Sequence, residues 1–187
     1  MLQSIKAMKS KCLFLLLLIG GCSPLLSQVA PAAYSRSEAG AFVSFGGLRT
    51  HVIAFTYNAL GVDGGLFIQK SPLIGVEVRG GSFPFYARYS QSPFTGGYRA
   101  AMHLSRFHDT ELFGYFGGGM SLAQDAGPHY VATSAQWSPC WQASQGANIP
   151  VKGHLQWKAY EGTWTETYTS LRSLRGLSLT TGITYSF

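Results

Sequence analysis

His103-Leu104-Ser105 sets an imidazole beside a hydroxyl, with Glu111 close behind in the chain. A histidine so placed can take the serine proton and ready its oxygen for attack on an acyl carbon. The tripeptide is short enough to recur by chance, so its meaning depends on where the fold puts it. Four further charges, Glu77, Arg79, Arg99 and Glu161, stand inside stretches that are otherwise largely apolar or small. Two acids and two bases of that kind can line a conducting path or pair with one another and fill space.

The other reactive side chains carry less. His51, His108, His129 and His154 are scattered, with no metal-ligand spacing. Gly117-Gly118-Gly119 is not followed by a helical pattern and is no phosphate loop; glycines in a strand more often relieve crowding. Cys140 is the only cysteine outside the N-terminal region that holds Cys12 and Cys22. Without a second cysteine in the body of the chain, neither a disulfide nor a cysteine metal site is expected. No cofactor and no metal are expected.

The elements that must position these groups are strands. In Gly176 to Phe187, Leu177, Leu179, Ile183, Tyr185 and Phe187 share one parity and small polar residues the other, the period of a strand with one apolar face. Similar segments run over Ala39–Gly46, Leu60–Gln69, Leu73–Gly81, Phe94–Ser105, Glu111–Ala123, Trp141–Ile149, Leu155–Tyr168 and Arg175–Phe187. No stretch among them carries a helical period, so the chain is expected to be all-β with eight strands.

Connection lengths alternate. Short turns are expected around Lys70-Ser71-Pro72, Arg106 to Asp109 and Pro150 to His154, with longer loops over Gly47–Ala59, Ser82–Pro93, Gln124–Cys140 and Thr169–Leu174. That pattern, with segments near the ~9–11 residues that cross a bilayer core, predicts an eight-stranded antiparallel up-and-down transmembrane β-barrel. A closed barrel leaves no bare sheet edge in lipid.

Charge placement agrees. Ile74, Val76 and Val78 oppose Glu77 and Arg79; Tyr98, Ala100 and Met102 oppose Arg99 and His103; Tyr160, Trp164 and Tyr168 oppose Glu161; Val62, Leu66 and Ile68 oppose Asp63. Lys158 alone takes the lipid-facing parity, and its stem is expected to reach headgroups near the Pro150 to His154 turn. Eight strands enclose room for side chains only, so Glu77, Arg79, Arg99 and Glu161 are expected to pair within a filled lumen. Trp141, Trp157 and Trp164, with Tyr160, Tyr168 and Tyr185, are expected in interfacial girdles or against lipid.

At the N-terminus, Lys6, Lys9 and Lys11 precede an apolar run from Cys12 to Ile19, then Gly20, Gly21 and a Ser/Pro/Ala-rich stretch. This is the pattern of a secretory signal peptide over residues 1–30, with a periplasmic lead over 31–37 and the barrel over 38–187. Ile19-Gly20-Gly21-Cys22 would also suit lipidation of Cys22, while small residues around Ser27 and Ala30 to Ala33 suit ordinary cleavage. Losing the leader's lysines takes the formal charge from +6 to about +3, so no nucleic-acid partner is expected. The charged share of 12% is well below the roughly 25% of soluble domains.

Together these residues resemble the outer-membrane β-barrel domain family, the small barrels of the OmpA and OmpX type, over residues 38–187. The departure is a first segment with few large apolar residues beyond Phe42, Val43 and Phe45. The resemblance implies an outer-membrane location, a monomer surrounded by outer-membrane lipid, and recognition of Ile183, Tyr185 and Phe187 by the barrel-insertion machinery as an assembly signal. It implies a non-enzymatic structural role in the envelope or at the cell surface. Alternatives are recognition of an extracellular ligand through loops such as Ser82–Pro93, with Arg88 among aromatics, a narrow channel, or lipid A modification. Outer-membrane deacylases carry a His-x-Ser pair and a Glu, but here the pair faces the lumen beside a periplasmic turn, away from outer-leaflet substrate.

Overall fold

A computed structural model describes residues 38–52, 55–71, 74–85, 90–124, 135–170 and 172–187. The expected leader 1–30 with Cys22, the lead 31–37, Arg88 and His129 lie outside the described residues. Eight strands follow in chain order: β1 (Glu38–Val52), β2 (Phe55–Gln69), β3 (Gly75–Phe85), β4 (Ser90–Leu104), β5 (Thr110–Gln124), β6 (Gln136–Lys152), β7 (Leu155–Tyr168) and β8 (Ser173–Ser186). Each pairs antiparallel with the next, and β1 pairs with β8, closing the barrel.

The stagger of that closure sets the shape. A row of paired residues leaving β1 at Ala41 runs through Leu66, Val78 and Gly96 and returns to β1 at His51, ten residues further along. Eight strands staggered by ten residues tilt by roughly 40° from the barrel axis. Ten residues of such a strand, as from Leu177 to Phe187, rise about 25 Å along the axis.

Parity divides the side chains as expected. Leu66, Val78, Tyr98, Phe116, Leu179 and Ile183 are exposed outward, while Glu77, Arg79, Arg99, Tyr115, Glu161 and Thr180 are buried inward. Inward glycines make room for the large inward rings: a Cβ on Gly146 would lie 2.6 Å from the Phe113 ring, and one on Gly117 2.0 Å from the Tyr115 hydroxyl. At the turn end the chain reverses through His108 and Asp109, both with positive φ, and through Gly153 at φ 55°.

Two expectations are corrected. Within the loops expected over Gly47–Ala59 and Ser82–Pro93 the described residues are strand, because β1 and β2 pair as far as Val52 and Phe55, β3 runs to Phe85 and β4 starts at Ser90; of the loops expected over Gln124–Cys140 and Thr169–Leu174, Gln124, Gln136–Cys140 and Ser173–Leu174 are strand as well. Outward residues there turn polar, as in Arg49, His51, Thr56 and Asn58, but backbone pairing continues. The first strand, weak in apolar residues, is as long as its neighbours for the same reason.

The second correction is Lys158. Its side chain is buried in the lumen at 1% exposure instead of reaching headgroups. Asn148 pairs with Lys158 and Ala147 with Tyr160, so Ala159 is an extra residue in β7, and the register with β8 shifts over the same stretch. A bulge of one residue reverses the parity of everything before it, turning Lys158 inward on the same side as Glu161.

Candidate functional site in the barrel lumen

The buried charges form one continuous ladder. Glu161 Oε2 accepts from Lys158 Nζ at 2.6 Å, and its Oε1 accepts from an Arg79 guanidinium nitrogen at 2.6 Å. Arg79 also donates to Glu77 Oε1, from Nε at 2.7 Å and through a second, close contact. Glu77 Oε2 accepts from Arg99 at 2.9 Å, and Arg99 in turn donates to Glu111 Oε1. Asn148 Nδ2 donates to the same Glu111 oxygen at 2.9 Å. Three cations thus alternate with three anions, contributed by β3, β4, β5 and β7.

Rings enclose the cations. The Arg99 guanidinium lies 4.4 Å from the centroids of both Phe67 and Phe113, Arg79 4.2 Å from Tyr115 and 5.3 Å from Phe42, and Lys158 Nζ 3.4 Å from Phe42. A desolvated cation over a ring face gains ~2 kcal/mol, which offsets part of the cost of taking charges from water. Above this layer Tyr115 donates to Thr95 (2.9 Å), Thr95 to Gln142 (2.7 Å) and Gln142 to Thr165 (3.0 Å). Toward the loop end Leu48, Ala59 and Phe83 pack together, as do Ala123, Leu174 and Tyr57.

The structure therefore brings Glu77, Arg79, Arg99 and Glu161 together and adds Glu111 and Lys158. Glu111 was legible: it shares parity with Phe113 and Tyr115. Lys158 was hidden by the bulge, although counting Glu111 with Asp63, Glu77 and Glu161 would have left the two arginines outnumbered. Asp63 also lines the lumen, partly buried. Ile183, Tyr185 and Phe187, by contrast, all lie on the outer face, exposed, with Tyr185 and Phe187 in edge contact at 5.6 Å.

His103 comes within 3.6 Å of Glu111 Oε2, and Glu38 joins them, with potential ligand atoms within 4.8 Å of one another. This is the one His/Cys/Asp/Glu grouping of three among the described residues. Glu111 Oε1 accepts from Arg99 and Asn148 while its Oε2 faces His103, so this group joins the ladder at the turn end. The side chain of Ser105 is outside the described set, so the His103-Ser105 pair has no geometry here.

The outer face carries its own ordering. Exposed apolar side chains form a band bounded at the turn end by Lys70, Arg106 and Lys152, and at the loop end by Arg49 and the Arg175–Glu166 pair at 2.9 Å. Aromatics stand at both margins, Trp157, Tyr185 and Phe187 at one and Trp137, Trp141 and Tyr168 at the other, and others, among them Tyr98, Phe116 and Tyr160, lie within the band. Trp141 Nε1 donates to the Tyr168 hydroxyl at 3.2 Å.

No protein-family model matches the chain, and no curated protein matches it. Among solved structures it is similar to Neisserial surface protein A, at 9% identity over 81% of this chain and 97% of that one, with a TM-score of 0.57. It is also similar to the attachment invasion locus protein Ail of Yersinia pestis (10% identity, 80% and 99% covered, TM-score 0.49). A third match is the N-terminal β-barrel domain of Pseudomonas aeruginosa OprF (8%, 81% and 100%, 0.47). At 9% identity the likeness to Neisserial surface protein A speaks for the fold alone: the chain is a small, closed, eight-stranded antiparallel β-barrel.

Proposed function

We propose that the protein is an integral outer-membrane barrel with a structural role in the envelope or at the cell surface, without enzymatic activity. The observation that carries this reading is the outer band: an apolar surface about 25 Å tall, flanked by aromatic girdles and bounded by charges. Such a surface has no stable contact with water on all sides. The lumen supports a closed body over a pore, since the ladder, its rings and the threonine–glutamine layer occupy the interior. The His103–Glu111 contact supports a structural extension of the ladder over acyl chemistry, because the same carboxylate also accepts from Arg99 and Asn148.

Ile183, Tyr185 and Phe187 act as the assembly signal read by the insertion machinery. Expressed in a Gram-negative host, the full chain is expected in the outer-membrane fraction, running faster on an unheated gel than after boiling. Phe187→Ser is expected to lower that yield severalfold while changing the urea midpoint of refolded protein little. Phe187 sits at the band's edge, where removing one side chain forfeits only part of the ~1.5–3 kcal/mol of full burial. Recovery of wild type in the soluble fraction would refute the location, and equal yields for the two would refute the signal.

A further inference from the structure

One side chain does not fit the outer band. Gln145 of β6 is exposed on the outer face, paired in register with Gly114 of β5 and Gly162 of β7. It lies midway along the band: its row climbs across the tilted strands from Ala100, between Tyr98 and Met102, to Leu179, between Leu177 and Ile183, and Gln145 stands halfway between the two. Among the described residues its amide has no hydrogen-bond partner. The other non-aromatic polar side chain at this depth on the outer face among the described residues, Thr181, is satisfied: it donates to the Lys158 carbonyl at 2.8 Å and accepts from Trp157 Nε1 at 3.1 Å.

An amide left bare in hydrocarbon is costly, and a glutamine side chain is too short to reach headgroups from the middle of a ~25 Å band. The surface around it is cut low. Ala143 and Ala147 flank Gln145 along β6, and Gly114 and Gly162 flank it across the sheet. A Cβ added at Gly162 would meet nothing within 4 Å. Phe116, Trp164 and Tyr160 stand around this hollow as exposed walls.

In place of the monomer that the resemblance implies, we propose that this hollow is a self-association surface, in which Gln145 of one copy pairs with Gln145 of a second. A primary amide is self-complementary, since each can donate N–H to the other's carbonyl. Two copies inserted in the same direction are related by an axis along the membrane normal, which brings residues of equal depth face to face in an isologous contact. Small residues around the amide let the two walls approach, as at other intramembrane contacts. The inference rests on the membrane reading above.

Sedimentation equilibrium of the full chain in density-matched micelles tests it. Wild type is expected to form a dimer. Gln145→Leu is expected to weaken it about tenfold, the effect of losing a pair of intramembrane hydrogen bonds. Gly162→Leu, which fills the hollow without a clash inside its own barrel, is expected to abolish it with the heat-dependent gel shift retained. Val62→Leu, on β2 directly across the barrel, is expected to change nothing. A folded wild type that is monomeric at all concentrations, or a dimer indifferent to both hollow variants, would overturn this proposal alone. A chain that does not fold in micelles would overturn the membrane reading with it.

Discussion

Glu77→Leu is expected to lower the unfolding free energy of the refolded protein by about 3–5 kcal/mol, the cost of breaking a buried ion pair from one side. Glu77 is the central rung of the ladder: one oxygen accepts from Arg79 and the other from Arg99. Without it Arg79 keeps only Glu161 and Arg99 keeps only Glu111 as ion-pair partners, and the three cations of the ladder share two of its anions in a space from which water is largely displaced. Adding Arg79→Met to the same variant removes the surplus cation and is expected to recover at least half of the loss, because deleting both members of a buried pair is far cheaper than deleting one. Urea midpoints of the three proteins decide this. A single variant within about 1 kcal/mol of wild type would mean that the lumen is hydrated enough to leave its charges independent.

Leu66→Arg is the matching test of the outer face, with an expected loss of ~2–4 kcal/mol for an arginine near the middle of a lipid-facing surface. Leu66 is 62% exposed and shares its outward parity on β2 with Val62 and Ile68. Asn58→Arg lies on the same strand and face, but beyond the band, where a surface change is worth about 0.5 kcal/mol or less. The contrast between the two sites carries the argument, because on a protein surrounded by water both would behave like Asn58. Refolding into phospholipid vesicles and urea titration of each variant measures it. Equal stabilities would refute lipid contact at Leu66.

The architecture was legible because two periods coincide in this chain. Alternation at two residues named the strands, and charges confined to one parity named the inside; neither depends on knowing where strands end. What failed were boundaries and one register. Arg49, His51 and Asn58 look like loop residues because apolar character stops before them, yet their backbones stay paired. Lys158 was misplaced because a bulge leaves no compositional mark: Ala159 is an unremarkable residue whose only sign is the pairing around it. The ladder was half legible. Which residues face inward follows from parity, but which acid meets which base depends on how strands stagger around the barrel, and only the closed structure fixes that.

The claim on which the rest depends is that the outer face meets hydrocarbon, and a spin-label scan of β8 tests it most directly. Single cysteines from Leu174 to Phe187, placed in a background with Cys12, Cys22 and Cys140 all changed to Ser and refolded into vesicles, would each carry a nitroxide. Collisions with oxygen, which concentrates in the bilayer, and with a water-soluble nickel chelate are then compared site by site. Oxygen access is expected to rise at Leu177, Leu179, Ile183 and Tyr185 and fall at the intervening inward sites, with chelate access lowest toward the middle of the outward series. Chelate reaching the outward sites as freely as it reaches Arg175 would contradict a membrane-spanning barrel.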